Sequence, residues 1–597
     1  MRQVLTGDLD DFTGAIGRAV SVTGTMTFDG KGGYSFNGQM MDTKAGSAAK
    51  PYSTSGTYSV AGNNLAQIQN PIDSLDIEIG AVAGVGPKSI IASSTEGNYR
   101  DLFVAVQAGS SASNSTVNGS YQLGFIDFLQ GNASNVRDGY ATLTSTGNGT
   151  FGNVTVDGAM ANQTNSDVQQ AFAGVNYSVG SNGSGTLTFP AASGTAALSA
   201  LVSGKKTLYV SADGNLLVAG DPSGFDLLVA IKASSGAVSN DSFQGTYFVG
   251  ALQNDGSSAS FGQNTISTYY GSTLGFGAQG AGVSHWHLAY FDEPPFDFTT
   301  NIVFNFASDG TYNDGTFEYL LGTNGKAQLQ VGRGSFYSLI LSLAAPASTS
   351  SGSGPVIDAT KIFNAGSYAP VTYPVAPGEA VTLFGTNLAS APQSGSVPLP
   401  RSLGGVSISV NGRAAPISFV SPTQVNFLIP FALTQSYATI QLTSNGVAAN
   451  PVTLYANFSA PGVYTLTSND GTFAPGIGPA AVLHTDYSLV TADHPAIPGE
   501  TLQLYVTGLG PVTPNVSDGF AAPSDPPAMV LGDVFIDIID TNFIDSPADV
   551  TFAGLAPGFA GLYQVNFVVP PAAAPGLAFI NVSTDTAVTS EALLYVR

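Results

Sequence analysis

One pattern occurs twice in the C-terminal part of the chain and constrains the fold more than any other feature. It consists of a first phrase beginning with a turn and a second phrase ending in a strand. The copies read VAPGEAVTLFGTNL and SPTQVNFLIP at 375–388 and 421–430, then AIPGETLQLYVTGL and GLYQVNFVVP at 496–509 and 561–570. Alternating apolar residues after a Pro-Gly turn are typical of strands entering a β-sandwich. The recurrence therefore predicts two sandwich modules in tandem.

The second phrase also predicts how its side chains divide between the two faces of the sheet. Residues i and i+2 of a strand share a face. The Val and Phe residues of each phrase then face the core. Four amides fall on the opposite face, Gln424, Asn426, Gln564 and Asn566. We expect them to bond neighbouring backbone groups at the margin of the sheet.

The N-terminal half carries a different set of recurring phrases. They are GSYQLGFIDF (119–128) with GTYFVGALQN (245–254), SGTYSVAGN (55–63) with AGVNYSVGSN (173–182), and DLFVAVQA (101–108) with DLLVAIKA (226–233) and the weaker FYSLILSLA (336–344). The opening RQVLTGDLDDF is predicted to be the first copy of the GSY/GTY strand. Two phrases return at nearly one spacing, which predicts three diverged copies at 1–112, 113–236 and 237–347.

Each copy has the pattern of an antiparallel β meander. Short alternating runs are separated by Asp-Gly, Asn-Gly and Gly-Gly, as at 211–215. These dipeptides accept the positive φ of tight hairpin turns. The predicted fold class is all-β: three antiparallel barrel or sandwich repeats, a Ser/Gly-rich linker at 348–360, and two Ig-like sandwiches at 361–460 and 461–597.

Composition excludes several functional classes. The formal net charge is −23, with 40 acidic against 17 basic residues, and clustered basic residues that would bind nucleic acid are not found. There is no cysteine, which excludes disulfides and thiolate sites. No apolar run is long enough to span a membrane. Charged residues are only 10% of the chain, as is typical of secreted β-rich proteins.

The C-terminal motifs resemble a known family. NAGSYAP (364–370), LGGVSISVNGRAAPISFV (403–420), GPAAVLHTDYSLV (478–490) and LYVTGLGPVTP (504–514), together with the recurring phrases, resemble the uncharacterised C-terminal domain family first noted in Solibacter. Each module also resembles the Ig-like TIG domain. The segment 532–554 departs from the family pattern by being more acidic. The resemblance implies an extracellular protein of Acidobacteria type with modular β architecture, and implies no activity.

One stretch could hold a metal ion or a sugar. His285 and His287 flank the single tryptophan, Trp286, and share one strand face. Carboxylates follow at Asp292, Glu293 and Asp297. A metal site needs three or four ligands in fixed geometry. Trp286 and Tyr290 beside these acids also have the composition of a glycan-binding surface. The alternative is a histidine pair on a solvated face, with Trp286 toward the core.

Two further clusters contain residue types that bind metal ions or take part in catalysis. The acidic run Asp533, Asp537, Asp540, Asp545 and Asp549 offers oxygen ligands to Ca²⁺, with Asp537 and Asp540 foremost, but lacks the order of a calcium loop. A solvated acidic face is the alternative. His484 and His494 lie near Asp486 and Asp493 without a Gly-x-Ser-x-Gly elbow. No catalytic residue and no cofactor besides Ca²⁺ is predicted.

The sequence favours a non-enzymatic structural protein of the cell surface or extracellular matrix. Copies of itself are the expected partners, assembling into filaments by strand exchange or by contacts between modules, with glycans or other surface components as further candidates. The N-terminal strand is a candidate donor. The start, MRQVLTGDLDDF, has no apolar signal region, so we expect that an export signal has been removed. The alternative function is a monomeric adhesin that binds glycans through 284–298.

Overall fold

In the computed structural model, the regular secondary structure is almost entirely β. The structure describes residues 1–9, 16–46, 48–84, 88–95, 99–163, 167–192, 194–255, 265–290, 294–346, 354–466, 476–542, 544–586 and 588–597. The helical structure among them is one α-helix, Thr195–Leu198, and 3₁₀ turns at Asn114–Thr116, Leu129–Gly131, Ala133–Asn135, Asn240–Ser242, Ala278–Gly280 and Thr323–Gly325. The predicted all-β class is confirmed.

Barrel 1 is a closed eight-stranded meander in which every strand pairs with the next and the last pairs with the first. Its strands are β1 (Arg2–Leu9), β2 (Ile16–Phe28), β3 (Gly33–Asp42), β4 (Lys50–Val60), β5 (Leu65–Gln69), β6 (Ile77–Ala83), β7 (Ser89–Ser93) and β8 (Tyr99–Val106).

Barrel 2 repeats this topology and is also closed. Its strands are β9 (Asn118–Phe128), β10 (Val136–Thr146), β11 (Thr150–Met160), β12 (Asp167–Val179), β13 (Ser184–Thr188), β14 (Lys205–Val210), β15 (Leu216–Gly220) and β16 (Asp226–Lys232). The sequence alone did not distinguish a barrel from a sandwich for these repeats. Because the first strand pairs with the last in each of these two units, they are barrels.

Meander 3 has the same order, and its first and last strands also pair. Its strands are β17 (Gln244–Asp255), β18 (Thr265–Phe276), β19 (Ala281–Tyr290), β20 (Phe296–Val303), β21 (Thr311–Asn313), β22 (Phe317–Gly322), β23 (Ala327–Gly332) and β24 (Phe336–Ala344).

Two of the three recurring phrases of the N-terminal half, the GSY/GTY phrase and the DLFVAVQA/DLLVAIKA phrase, form the closing seams of the three units. β1 pairs with β8, β9 with β16, and β17 with β24, all antiparallel. On β16, Leu228 and Ala230 face the interior of barrel 2, while Leu227 and Val229 pack outward against the other units. Burial on both faces explains why these phrases are almost continuously apolar rather than alternating.

The three N-terminal units pack against one another. A Cβ added to Gly250 of β17 would lie 2.5 Å from Ile91 of barrel 1, and one added to Gly124 of β9 would lie 2.8 Å from Val331 of meander 3. Arg2 of β1 donates to Asp226 of barrel 2. One connected apolar cluster joins the outer faces of the units to the core of the next module.

Sandwich 1 follows as two facing sheets. One has the order β25-β26-β32-β31-β27, and the other contains β28, β29, β30, β33, β34 and β35. The strands are β25 (Val356–Asn364), β26 (Ala380–Thr386), β27 (Gln393–Ser394), β28 (Ser402–Leu403), β29 (Val406–Val410), β30 (Arg413–Ala414), β31 (Ile417–Val420), β32 (Gln424–Leu428), β33 (Tyr437–Ser444), β34 (Val447–Ala448) and β35 (Val452–Tyr455).

Sandwich 2 is held together by one long strand, β42, which pairs with β41 at its start and with β43 farther along. The strands are β36 (Gly462–Val463), β37 (Val482–Leu483), β38 (Thr501–Thr507), β39 (Val512–Thr513), β40 (Met529–Val530), β41 (Val534–Ile539), β42 (Asp545–Leu555), β43 (Tyr563–Val568), β44 (Gly576–Thr584) and β45 (Val588–Val596). Its apolar core is separate from that of the other units.

The two C-terminal phrases form the same strand pair in both sandwiches. β26 pairs with β32 and β38 with β43, so that Val381 faces Phe427 and Leu502 faces Phe567. The amides on the opposite face bond each other instead of the backbone: Gln424 Nε2 lies 2.9 Å from Asn426 Oδ1. The equivalent bond in sandwich 2 is 2.8 Å long. The expectation of backbone partners was therefore wrong.

The modules are in direct contact with one another. β20 of meander 3 pairs in parallel with β45 of sandwich 2, so that the two form a continuous sheet. β25 begins at Val356, inside the predicted linker at 348–360, since residues 356–360 already pair or pack in sandwich 1. Residues 348–353 of that linker lie outside the described residues.

Candidate functional site: the histidine–aspartate cluster

The candidate site lies on the hairpin formed by β19 and β20. Successive side chains of a strand point to opposite faces. Trp286 therefore points into meander 3, where its ring lies 5.4 Å from that of Tyr269 and 6.1 Å from that of Phe298. His285 and His287 point the other way, toward sandwich 1. The prediction that the two imidazoles share one face agrees with this arrangement.

Asp297 joins the two imidazoles. His285 Nε2 lies 2.9 Å and His287 Nδ1 3.0 Å from the same oxygen, Asp297 Oδ1. His285 Nδ1 is 2.7 Å from Thr372 Oγ1 of sandwich 1, so both of its ring nitrogens have partners. The side chain of His285 is fully buried. The alternative expectation, a pair on a solvated face, is therefore wrong.

Burial and hydrogen bonding set the charge of this cluster. Burial alone would raise the pKa of Asp297, but the adjacent His287 and His285 hold it well below its usual range. Burial lowers the pKa of His285, and its hydrogen bond to Asp297 opposes this only in part. The stable arrangement is an ionised carboxylate that accepts hydrogen bonds from its neighbours. Such a cluster ties meander 3 to sandwich 1.

The metal hypothesis gains no additional ligand from the described part of the chain. Within it, no group of three histidine, aspartate or glutamate side chains is arranged to hold a metal ion. Asp292 and Glu293 lie outside the described residues. The nitrogen atoms of His285 that a metal would need are engaged with Asp297 and Thr372.

The aromatic residues predicted to bind sugar face the inside of meander 3. Tyr290 stacks with Phe296 at 6.0 Å, and both pack with Trp286 against the same buried cluster. A sugar-stacking surface needs exposed rings. The rings of Trp286 and Tyr290 are partly buried, because both pack against that cluster.

The acidic candidates of sandwich 2 do not converge. Asp540 accepts hydrogen bonds from the backbone N–H of Asn542 and Ile544, so it stabilises the turn between β41 and β42. Asp537 lies on β41, where burial and the nearby Asp545 raise its pKa. Asp540 therefore has a structural role in the turn, and Asp537 lies apart from it on the strand.

His484 and His494 stack with ring centroids 4.0 Å apart. His484 Nδ1 lies 3.0 Å from Glu500, the last residue of the second Pro-Gly-Glu. Glu500 also accepts from the backbone N–H of Ile497, and Glu379 accepts from that of Ala376 at 2.6 Å. The Pro-Gly-Glu glutamates thus close their own turns, a role that the sequence analysis missed.

A buried carboxylate pair in barrel 1 was also missed. Glu78 and Asp101 point into the barrel and are fully buried. Gln3 Nε2 donates to both, at 2.7 Å to Glu78. Burial raises the pKa of Asp101 to about 6. Burial and then the charge of Asp101 raise the pKa of Glu78 well above its usual range. The pair therefore keeps its proton to a higher pH than free carboxyl groups would.

Barrel 2 has cations at the corresponding place. Asp226 begins the DLLVAIKA phrase as Asp101 begins DLFVAVQA, but Lys206 Nζ lies 2.7 Å from Asp226. Arg2 adds a second ion pair at 3.1 Å. Although burial opposes it, these charges lower the pKa of Asp226. The two barrels thus keep the same aspartate and shift its pKa in opposite directions.

Comparisons with known proteins leave the function open. No family model and no curated protein matches the chain. The crystal structure of Gamma-CGTASE from alkalophilic Bacillus clarkii is similar at 11% identity and a TM-score of 0.13. The matched region covers 54% of this chain and 37% of that chain. A similarity at this TM-score carries no argument about fold or activity.

Proposed function

We propose that this protein is an exported, non-enzymatic structural component of a cell surface or extracellular matrix. The proposal rests on rigid coupling between β modules. The histidine–aspartate cluster and the parallel β20–β45 pair both connect meander 3 to the sandwiches. In the described residues, no helix is long and apolar enough to cross a membrane. The extracellular setting rests on the resemblance of residues 361–597.

The observation that carries self-association is the surface of sandwich 2. Among the described residues, nearly half of the exposed large apolar side chains lie in this module: Tyr487, Ile497, Phe520, Leu531, Phe535, Ile544, Phe559 and Leu577. Phe520 and Phe559 lie on neighbouring segments, since the N–H of Ala522 donates to the carbonyl of Phe559. Neighbouring exposed apolar side chains such as these two can form an interaction surface. We infer that copies associate through sandwich 2.

Module contacts are a better route than donation of the N-terminal strand. β1 is hydrogen-bonded along both of its edges, to β2 and to β8. Releasing it would open barrel 1, whereas a contact through sandwich 2 leaves every described strand in place.

The test is the mass distribution of the purified chain over a concentration series, followed by negative-stain microscopy. We expect oligomers that increase with salt, because a net charge of −23 repels copies at low ionic strength. Changing Phe520→Asp and Phe559→Asp together should shift the distribution to monomers. Leu75→Asp is the matched control, since Leu75 is 95% exposed on barrel 1. A monomeric parent protein at high concentration would contradict the proposal.

A further inference from the structure

Barrel 2 buries a lysine against an aspartate inside the barrel. Lys206 lies on β14 and Asp226 on β16, with β15 between the two strands. Both side chains point inward, because Leu208 and Leu228, two residues farther along each strand, belong to the interior cluster. Lys206 Nζ lies 2.7 Å from Asp226 Oδ2, and the two side chains are only 7% and 4% exposed. The amine and the carboxyl group are therefore held in contact with little water around them.

The two oxygens of the Asp226 carboxyl group have different surroundings. Oδ1 accepts hydrogen bonds from Arg2 Nη2 at 3.1 Å and from the N–H of Asp221 at 2.7 Å. Oδ2 faces Lys206 and has no other partner among the described residues. Two donors on one oxygen have the arrangement of an oxyanion hole, which stabilises the negative charge that develops when a nucleophile adds to a carbonyl carbon. Oδ2 is then the oxygen that can leave.

Asp127 is the third group of this arrangement. It lies directly opposite Asp226 in the β9–β16 pair, so the two side chains are neighbours on the inner face. Arg137 donates two hydrogen bonds to Asp127 Oδ2, at 2.8 and 2.6 Å. Burial raises the pKa of Asp127, and the charge of Lys206 acts on it in the opposite direction. A carboxyl group in this position can take a proton from the amine and return it to a leaving oxygen.

A cavity beside the three groups gives a released water molecule a way out. Its volume is about 710 Å³, and its lining includes Asp127, Lys206 and Asp226. Near-attack geometry holds two reacting atoms roughly 3–3.5 Å apart. An amine that already touches a carboxyl oxygen reaches the carbon of that group by a small rotation of its own side chain. Burial of an ion pair costs desolvation free energy, and an uncharged amide in the same place does not carry that cost.

Barrel 1 keeps the aspartate without the lysine. Asp101 begins the corresponding phrase, and Glu78 takes the position of Lys206. Glu78 and Lys206 are each the second residue of the sixth strand of their barrel, and they lie opposite the buried aliphatic residues Ile68 and Leu187. Two carboxyl groups cannot form an amide, so this chemistry is restricted to barrel 2.

We propose that Lys206 and Asp226 form an intramolecular amide bond that joins β14 covalently to β16. One proton passes from Nζ to Oδ2 across their contact, and the neutral amine attacks Cγ of Asp226. The negative charge of the tetrahedral intermediate develops on Oδ1. Asp127 takes a second proton from Nζ and returns it to Oδ2, the Cγ–Oδ2 bond breaks, and Oδ2 leaves as water. One ammonium and one carboxylate thus give one amide and one water, with no oxidant or other reactant.

The bond would act as the cross-link of a chain that has no cysteine. It closes a ring over residues 206–226, and cross-links stabilise a fold mainly by constraining the unfolded chain. The seam between β9 and β16 can still open when the link is present. Residues 207–225 would then not extend with the rest of the barrel.

The test is the intact mass of the purified full chain, followed by tryptic peptide mapping. We expect a protein lighter by one water molecule than its sequence, no cleavage after Lys206, and a peptide of residues 206–232 that carries this loss. Lys206→Arg keeps the positive charge but cannot form the amide, so it should have the unmodified mass. Lys205→Arg is the matched control, since Lys205 is the exposed neighbour and its substitution should leave the loss of water in place.

Two results would overturn the proposal. An unmodified mass with cleavage after Lys206 would show an ordinary buried ion pair. A loss of water with Lys206 still cleaved would place the dehydration elsewhere, for instance in a succinimide at Asp213, which precedes a glycine in the same peptide.

Asp127→Asn tests the proton transfer separately. We expect at least tenfold less linked protein at the same time after refolding, because general acid–base catalysis typically contributes more than this. Circular dichroism checks that the variant is folded. A linked fraction equal to that of the parent would contradict the role given to Asp127.

Discussion

At the scale of single residues, Asp297 has the most structural consequence. One of its oxygens accepts from two imidazoles of which one is fully buried. Asp297→Ala would leave His285 Nε2 buried without a partner, and we expect a loss of about 2–3 kcal/mol of unfolding free energy at pH 7. Calorimetric unfolding measures it. Asp493→Ala, at an exposed position, is the control and should change little.

The pH dependence of this loss follows from the low pKa of Asp297. A carboxylate whose pKa is lower in the folded state contributes stability that is present above its unfolded pKa of about 4 and is lost as the pH falls below it. The parent and Asp297→Ala proteins should therefore converge in acid. A difference that stays constant down to pH 2 would contradict the ionised cluster.

Sequence reasoning located this cluster only in part. The period of a strand placed His285 and His287 on one face, as the structure shows. Their burial depends on Thr372, which comes from another module and which no local pattern indicates. Glu379 was overlooked for a different reason: its carboxylate accepts a hydrogen bond from the N–H of Ala376 within the same turn.

At the scale of the element, the carboxylate pair should make barrel 1 less stable as the pH rises. Asp101 has a folded-state pKa of about 6, above its unfolded value. A raised pKa contributes stability that is fully present below the unfolded value and is lost as the pH rises through the folded one. Stability of barrel 1 should therefore fall between about pH 4 and pH 6 and continue to fall as Glu78 ionises.

Glu78→Gln tests this assignment. It removes the second negative charge and keeps an oxygen that can accept from Gln3, so we expect roughly 1–3 kcal/mol of added stability at pH 8 and a flatter pH profile. Unfolding monitored at several pH values provides the measurement. Asp493→Asn serves as the control. An unchanged slope would show that the pair does not share a proton.

Two of the recurring phrases form the seams, and the third, at 55–63 and 173–182, lies in β4 and β12. Barrel and sandwich could not be separated in advance, because closure requires β1 to pair with β8 across the whole repeat. The segments SNSTVNGSY (113–121) and SNDSFQGTY (239–247) place buried side chains inside barrel 2 and meander 3, but only their Gly-x-Tyr ends belong to a recurring phrase. Their first halves have no strand pattern, so periodicity gives no signal there.

At the scale of the whole molecule, close packing between units matters most. Gly250 lets β17 approach barrel 1, and Gly250→Val would place carbon atoms against Ile91 and Leu102. We expect a cost of about 2–3 kcal/mol from overpacking, seen as a lower melting temperature. Gly236→Val is the matched control, since a Cβ there meets no atom within 4 Å. Equal effects of both changes would contradict tight docking of these units.

The contacts between units account for one sequence pattern at this scale. Continuous apolar phrases such as DLLVAIKA indicate burial on both faces, and the second face is the contact between units. Composition could not show this, because a surface rich in hydroxyl and amide groups fits either free or packed modules.

The seam has a mechanical consequence. Because the first and last strands of a barrel are antiparallel neighbours, the chain comes in and goes out at the same end. Tension applied through the chain would break the hydrogen bonds between these two strands one after another, rather than load all of them at once. Each opened barrel would lengthen by roughly 3.4 Å per residue. Meander 3 is held in addition by the pairing of its strand β20 with β45. Under tension, barrels 1 and 2 would therefore open first and lengthen the chain while meander 3 stays folded.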